Sequence, residues 1–321
     1  MKAAVFKSYG PPQVLKIDEI DSPSIQEGQD DRVLIRVSYA SVNPFDIYYR
    51  TGFVARLANG FRRPKQQILG IDVSGTVAAV GKSVNRFKVG DAVFGSCLGS
   101  HAEYVRARES AISMMPKDLT FKEAAAIPTA ALTALQTLRD AARIKKDQTV
   151  LIYGASGGIG HFAVQIAKFY ETEVTAVCST VNLQWVKELG ADYVIDYTKE
   201  DFAKNGKKYD IILDAVGKRT FFSCRGSLSK TGVYITENPI KIKRQVLQIL
   251  LSRLIGIRRV KMAPLTKPRS EDLAFLSQLI EERRLRPVIE TTYALDQIAE
   301  AHRHLEKGHT KGKIVIEVRK Q

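Results

Sequence analysis

Thr149-Val150-Leu151-Ile152-Tyr153-Gly154-Ala155-Ser156-Gly157-Gly158-Ile159-Gly160 is an apolar run that ends in a glycine-rich turn, and His161-Phe162-Ala163-Val164-Gln165-Ile166-Ala167-Lys168 follows it as an apolar helix. Glycines between a strand and a helix carry far more information than glycines alone. Ala155, Gly157 and Gly160 occupy the three small-residue positions of a dinucleotide-binding turn. Gly157 lets the backbone approach a pyrophosphate, and Gly160 lets helix and strand pack closely. The first N–H groups of the helix, with its positive dipole end, then face the phosphates. Ser156, Gly158 and Ile159 complete the turn as candidate cofactor contacts.

The segment that follows bears on which dinucleotide is bound. An NAD site usually carries Asp or Glu at the end of the second strand, where it holds the ribose 2′-OH. Here Ala176-Val177-Cys178-Ser179-Thr180-Val181-Asn182 contains no acid, and none occurs before Glu188. Nothing along that stretch repels a 2′-phosphate, and Ser179, Thr180 and Asn182 offer hydrogen-bond donors. No Arg or Lys stands at the turn, so NADPH is expected ahead of NADH on the absence of repulsion alone.

Working outward, strands and helices alternate. Residues 173–178, 193–196, 210–214 and 232–236 read as buried strands, and 159–169 and 182–189 as helices. That alternation implies a parallel, doubly wound sheet. Val216 and Gly217 follow one strand end and Asn238 another, where open α/β sheets bind ligands. The first 120 residues have a different texture: short strands at 32–37, 73–81 and 90–95 with glycine corners suggest a barrel-like β domain. Thr120-Phe121-Lys122-Glu123 reads as a helix cap. Residues 271–283 and 296–306 read as helices, and 312–318 as a last strand.

The 321 residues include three cysteines, Cys97, Cys178 and Cys224, without any CxxC pairing, which fits a reducing compartment. No apolar run approaches a membrane span. Met1 leads at once into a strand with no signal-peptide pattern, so a cytoplasmic location is expected. The net charge is +15, and residues 240–270 hold nine basic residues and no acid. Within 240–261, apolar residues recur at helical spacing between the cations. Peripheral contact with an anionic membrane, a domain helix with solvated cationic ends, and a dimer interface all remain open readings. Nucleic-acid binding is not expected, because no aromatic residue interleaves these cations.

In chain order, Met1-Lys2-Ala3-Ala4-Val5, Ala40-Ser41-Val42-Asn43-Pro44-Phe45-Asp46, Gly70-Ile71-Asp72-Val73-Ser74-Gly75, Val89-Gly90-Asp91-Ala92-Val93, the turn at 155–160, Leu189-Gly190-Ala191-Asp192 and Gly312-Lys313-Ile314-Val315 resemble the medium-chain dehydrogenase/reductase superfamily, in particular its quinone oxidoreductase branch. The resemblance spans nearly the whole chain. It implies a GroES-like β domain over 1–122, completed by 286–321, and a Rossmann NADP-binding domain over 123–285. It also implies a cleft where the nicotinamide meets substrate, and a homodimer.

Zinc alcohol dehydrogenases of that superfamily place Cys where this chain has Asn43-Pro44, and His in the segment matching Gly70-Ile71-Asp72. Without those ligands no zinc site is expected. Without a Lewis acid, quinones and α,β-unsaturated carbonyls are the acceptors of choice, since they already take hydride readily. The resemblance places Asn43 beside the nicotinamide, where it would hydrogen-bond ribose or an incoming carbonyl. Tyr48 would stack on a flat substrate, donate a proton, or simply pack, and Asp46 would hold the loop. Thr133 matches a position near the nicotinamide, and Tyr197 one near the adenine ribose phosphate. Lys313 would reach the cofactor or brace the domain. His302 and His304 read as surface polarity on a helix, and His101 and His161 as isolated structural residues. Competing readings are a short-chain dehydrogenase, a non-enzymatic NADPH-binding redox sensor, and a metal-free alcohol or aldehyde reductase. The first lacks its Tyr-x-x-x-Lys pair, since none of the twelve tyrosines is followed by lysine at that spacing.

Overall fold

The computed structural model describes residues 1–52, 55–237, 246, 248–250, 252 and 259–319. The described chain forms two compact units, one of Met1–Leu132, Lys267–Arg283 and Pro287–Gln321, the other of Thr133–Thr266 and Arg284–Arg286. The first boundary therefore falls after Leu132, whereas the sequence pointed to 122/123. Ala125 and Ala126 explain this, since they bury their methyl groups with Val315 and Tyr39 of the first unit.

The first unit opens with β1 (Lys2–Phe6) and β2 (Leu15–Glu19), an antiparallel pair. Next come β3 (Arg32–Val42), α1 (Pro44–Thr51), α2 (Ala55–Asn59), β4 (Asp72–Val80), β5 (Ala92–Ser96), β6 (Tyr104–Arg108) and β7 (Ile112–Met114). Val33, Ile35 and Val37 of β3 are buried at every second position, as the alternation predicts. Helix α3 (Phe121–Ala125) starts where Thr120 accepts from the Glu123 N–H and Glu123 accepts in return, the capping box expected there. Helix α4 (Pro128–Gln136) follows, with proline at its first position.

The second unit is built on six parallel strands: β8 (Thr149–Tyr153), β9 (Glu173–Cys178), β10 (Tyr193–Asp196), β11 (Tyr209–Asp214), β12 (Leu228–Thr236) and β13 (Val260–Met262). Their spatial order is β10-β9-β8-β11-β12-β13. The chain thus builds outward from β8 in one direction, then returns and builds in the other, as in a doubly wound dinucleotide-binding fold. Helices α5 (Gly160–Phe169), α6 (Leu183–Lys187) and α7 (Phe221–Cys224) belong to this unit. The helix expected over 182–189 is shorter because a 3-10 turn, Thr180–Asn182, precedes it. Most of the basic segment 240–261 lies outside the described residues. Among the described residues no helix is long and apolar enough to cross a membrane.

The chain then returns to the first unit with α8 (Ser270–Glu281), β14 (Ile289–Ala294), α9 (Ile298–Lys307) and β15 (Lys313–Glu317). The seven-stranded sheet runs β14-β15-β3-β4-β5-β7, with β6 also paired to β3. Strand β15 lies between β14 and β3, with Ile314 opposite Val42. The last strand completes the first unit, and its Ile314 and Ile316 join the core of Val33, Ile35, Val73 and Val93.

Candidate functional site

In the second unit the carboxyl ends of β8 and β11 are neighbours at the point where the strand order reverses, which is where such sheets bind ligands. Gly154 has φ +84°, and a side chain there would run into Val216. A Cβ at Gly160 would overlap the carbonyl oxygen of Gly154, so α5 starts in direct contact with the turn. Ala155 is buried under it, while Ser156, Gly157, Gly158 and Ile159 keep partial exposure. The turn after β11 is pinned by one carboxylate. Asp214 accepts from the N–H groups of Val216 (3.1 Å), Gly217 (2.7 Å) and Arg219 (3.0 Å) and from the Tyr234 hydroxyl (3.0 Å). Burial nonetheless raises its pKa from the usual carboxylate value.

At the ends of β9 and β10, Ser179, Thr180, Asn182 and Tyr197 come together. The Tyr197 N–H donates to the Cys178 carbonyl at 3.1 Å, and its ring lies 6.4 Å from that of Tyr153. The donors expected for a phosphate are partly spent within the loop. Thr180 Oγ1 donates to Asp196 at 2.5 Å, and Asn182 Nδ2 donates to Ser179 Oγ at 2.9 Å. Sequence distance hid Asp196, which closes β10 beside this loop. The Thr180 and Thr198 hydroxyls hold its carboxyl below the usual carboxylate range. Elsewhere in this unit, Thr133 Oγ1 lies 2.6 Å from Thr266 Oγ1, beyond β13.

Asn238 lies outside the described residues. Its neighbour Glu237 is described. It follows β12 directly, and its N–H donates to the Asp214 carbonyl at 2.9 Å. No charged or hydrogen-bonding partner of its carboxyl is found among the described residues, and burial pushes its pKa up to about 7.

In the first unit the polar residues at the end of β3 and the start of β4 form a buried cluster. Asp72 accepts from Ser41 Oγ (2.6 Å), Asn43 Nδ2 (3.0 Å), Lys313 Nζ (3.3 Å), Thr129 N (2.7 Å) and Thr129 Oγ1 (2.5 Å). Lys313 also donates to Asn43 Oδ1 at 2.5 Å. The Asn43 amide orientation follows from its neighbours' charge: oxygen toward the ammonium, nitrogen toward the carboxylate. Asp46 accepts from the backbone N–H groups of Asn43 (2.8 Å) and Gly70 (2.9 Å), holding the loop as expected. Tyr48 lies on α1, half-buried. Lys313 is held in this corner by Asn43 and Asp72.

His302 departs from the surface polarity expected of it. His302 is fully buried, because α9 turns that face into the core; its Nδ1 accepts from Arg50 Nε at 3.3 Å, and its ring lies 6.2 Å from that of His101. His101 is therefore not isolated. His304, two positions on, meets the Tyr293 hydroxyl at 3.0 Å instead, so the two histidines do not converge. Sequence reading missed Asp72, Asp196, Asp214 and Glu237 as site residues. All four stand at strand ends, and that position was the available signal.

The corner does not suit zinc. Both Asp72 oxygens are occupied, and an ion there would have to displace the Lys313 ammonium. No group of three metal-binding side chains occurs among the described residues.

Comparison with known proteins agrees with this architecture. A family model described as "Alcohol dehydrogenase GroES-like domain" matches residues 29–133, and one described as "Zinc-binding dehydrogenase" matches 189–316. The chain is 33% identical to a chloroplastic quinone-oxidoreductase homolog of Spinacia oleracea, covering 99% of this chain and 98% of that one. It is 34% identical to a mitochondrial NAD(P)H oxidoreductase of Homo sapiens, covering 99% and 89%. The solved quinone oxidoreductase from Coxiella burnetii superposes with a TM-score of 0.87 at 35% identity, covering 99% of each chain. Together with the doubly wound sheet and its glycine turn, these likenesses establish that the chain is an oxidoreductase belonging to the medium-chain dehydrogenase/reductase superfamily, in its quinone oxidoreductase-like branch.

Proposed function

We propose that the chain reduces quinones or α,β-unsaturated carbonyls with NADPH and without zinc. The observation that carries this reading is the Asp72–Asn43–Lys313 cluster. Where a zinc enzyme of the superfamily keeps ligands for a Lewis acid, this chain keeps a self-satisfied ion pair. The acceptor must then be electrophilic by itself, as conjugated carbonyls are. A bound nicotinamide cofactor supplies the hydride. The chain supplies the N–H groups of the 154–160 turn for the pyrophosphate.

Two features favour NADPH: the end of β9 carries no acid of its own, and Ser179 and Tyr197 border the same loop. Asp196 tempers that preference, so NADH is expected as a weaker substitute. Asn43 acts here by holding Lys313 and the start of α1, and Tyr48 stacks on the flat acceptor. A homodimer is the expected assembly.

The test is oxidation of NADPH and NADH against simple quinones, short enones and ordinary aldehydes, with and without chelator. Chelator-insensitive turnover of quinones or enones, faster with NADPH, supports the reading. Chelator-sensitive aldehyde reduction overturns it.

A further inference from the structure

We propose that His101 and His302 form a buried binding site for one neutral donor–acceptor molecule, a water, which ties α9 to the chain between β5 and β6. The site lies within the first unit and goes beyond the reductase reading, on which it does not depend.

The partners of the two rings place their protons. Arg50 Nε donates to His302 Nδ1 at 3.3 Å, and a guanidinium can only donate. His302 Nδ1 is therefore bare, and that ring carries its proton on Nε2. His101 Nε2 lies 3.2 Å from the Ser41 carbonyl oxygen, which can only accept. His101 therefore carries its proton on Nε2, and Nδ1 of the neutral ring is bare. Two atoms are left over: a donor at His302 Nε2 and an acceptor at His101 Nδ1. Both are buried, and neither has a hydrogen-bond partner among the described residues. Stranding either costs free energy comparable to a lost hydrogen bond.

The two rings stand 6.2 Å apart between centroids, at 82° to each other. Two hydrogen bonds of about 2.9 Å each, meeting at one oxygen, span a gap of that size. The dry alternative, His302 Nε2–H aimed at the face of the His101 ring, would serve the donor but leave His101 Nδ1 stranded. One water serves both, accepting from His302 and donating to His101.

The surrounding charges keep the rings neutral. Burial, with His101 and the Arg50 guanidinium beside it, holds His302 well below the usual histidine pKa. Burial also lowers His101, against the attraction of Asp46 and Asp72. The Arg50 charge is already answered by Glu306. Between two such neutral rings a metal ion would meet a protonated nitrogen at His302, and an anion would meet a lone pair at His101. Water matches both ends. The linked chain then runs from Glu306 through Arg50, His302, the water and His101 to Ser41, whose hydroxyl donates to Asp72.

The test uses the full chain, labelled on nitrogen for magnetic resonance. His101 and His302 should each show the neutral Nε2–H tautomer, unchanged from pH 6 to pH 8, although an imidazole in water titrates near about 6.5. The His302 Nε2 proton should receive magnetisation from a bound water. His101→Phe, which keeps a ring but removes the bare nitrogen, should abolish that transfer. A crystal structure of the wild type should show one density peak within about 3.2 Å of both His302 Nε2 and His101 Nδ1. In crystals grown with bromide the peak should remain water. Bromide at that position, or an Nδ1–H tautomer at either ring, overturns the neutral donor–acceptor site. A dry contact between the rings overturns it too, as does magnetisation transfer that persists in His101→Phe.

Discussion

Asp72 and Glu237 are both carboxyls at strand ends of the same chain, the first fully buried and the second half-buried, and their surroundings are opposite. Asp72 collects five hydrogen bonds, one of them from a buried ammonium. Glu237 collects none from the described residues. A buried charge with all its oxygens occupied fixes geometry, while a half-buried carboxyl without a described partner is not held in that way. The comparison separates a carboxyl that shapes its surroundings from one that the described residues leave unheld, a distinction that residue type alone does not make.

The largest effect should come from emptying the satisfied side of that comparison. Asp72→Ala leaves the Lys313 ammonium buried without its counter-ion and should cost about 3–5 kcal/mol of stability, read by denaturant unfolding. If the loss is below 1 kcal/mol, the ion pair does not organise the corner. Asp214→Ala strands three backbone N–H groups and a tyrosine hydroxyl and should cost about 2–3 kcal/mol, with weaker NADPH binding as the turn at Val216 and Gly217 loosens. Thr129→Val removes one hydroxyl donor to Asp72 but leaves the backbone donor, so about 1.5 kcal/mol is expected.

Glu237→Gln should act on stability with the opposite sign, and only above neutral pH. The folded state binds the Glu237 proton more tightly than the unfolded chain, because burial raises the pKa from 4.5 to about 7. Its stabilising contribution is full below about pH 4.5 and fades as pH rises through 7. Replacement by Gln removes that dependence, and a thermal shift measured from pH 5 to pH 8 would show it. A Gln variant that melts lower than wild type at pH 8 would place Glu237 with Asp72 among the shaping residues.

Much of the fold was legible because local pattern and tertiary role coincide. The apolar strand Thr149–Tyr153 needs Gly154 and Gly160 for the turn that follows, and the requirement shows in the residues themselves. The Thr120–Glu123 cap is equally local. The site was less legible because its contacts are distant in sequence. Asp72 meets Thr129 across 57 positions and Lys313 across 241, and Asp196 reaches Thr180 across 16. His302 looked like surface polarity because the spacing of α9 does not reveal that a buried arginine lies beside it. Asn238 was picked from a strand end and Glu237 beside it was passed over. Both share the position, but only the structure shows which carboxyl lacks a described partner.

The pairing of β15 between β14 and β3 also bears on how the protein is made. Strand β3 leaves the ribosome early, but its partner across Val42 and Ile314 is synthesised about 270 residues later. At cellular translation rates that gap is roughly a quarter of a minute to a minute. Throughout it the nascent chain presents an open hydrogen-bonding edge, while the glycine-turn unit has all its strands and can fold. Such an edge invites pairing with other nascent chains. Chaperone dependence during synthesis should therefore track the first unit, and a circular permutant that starts at β14 should need less help.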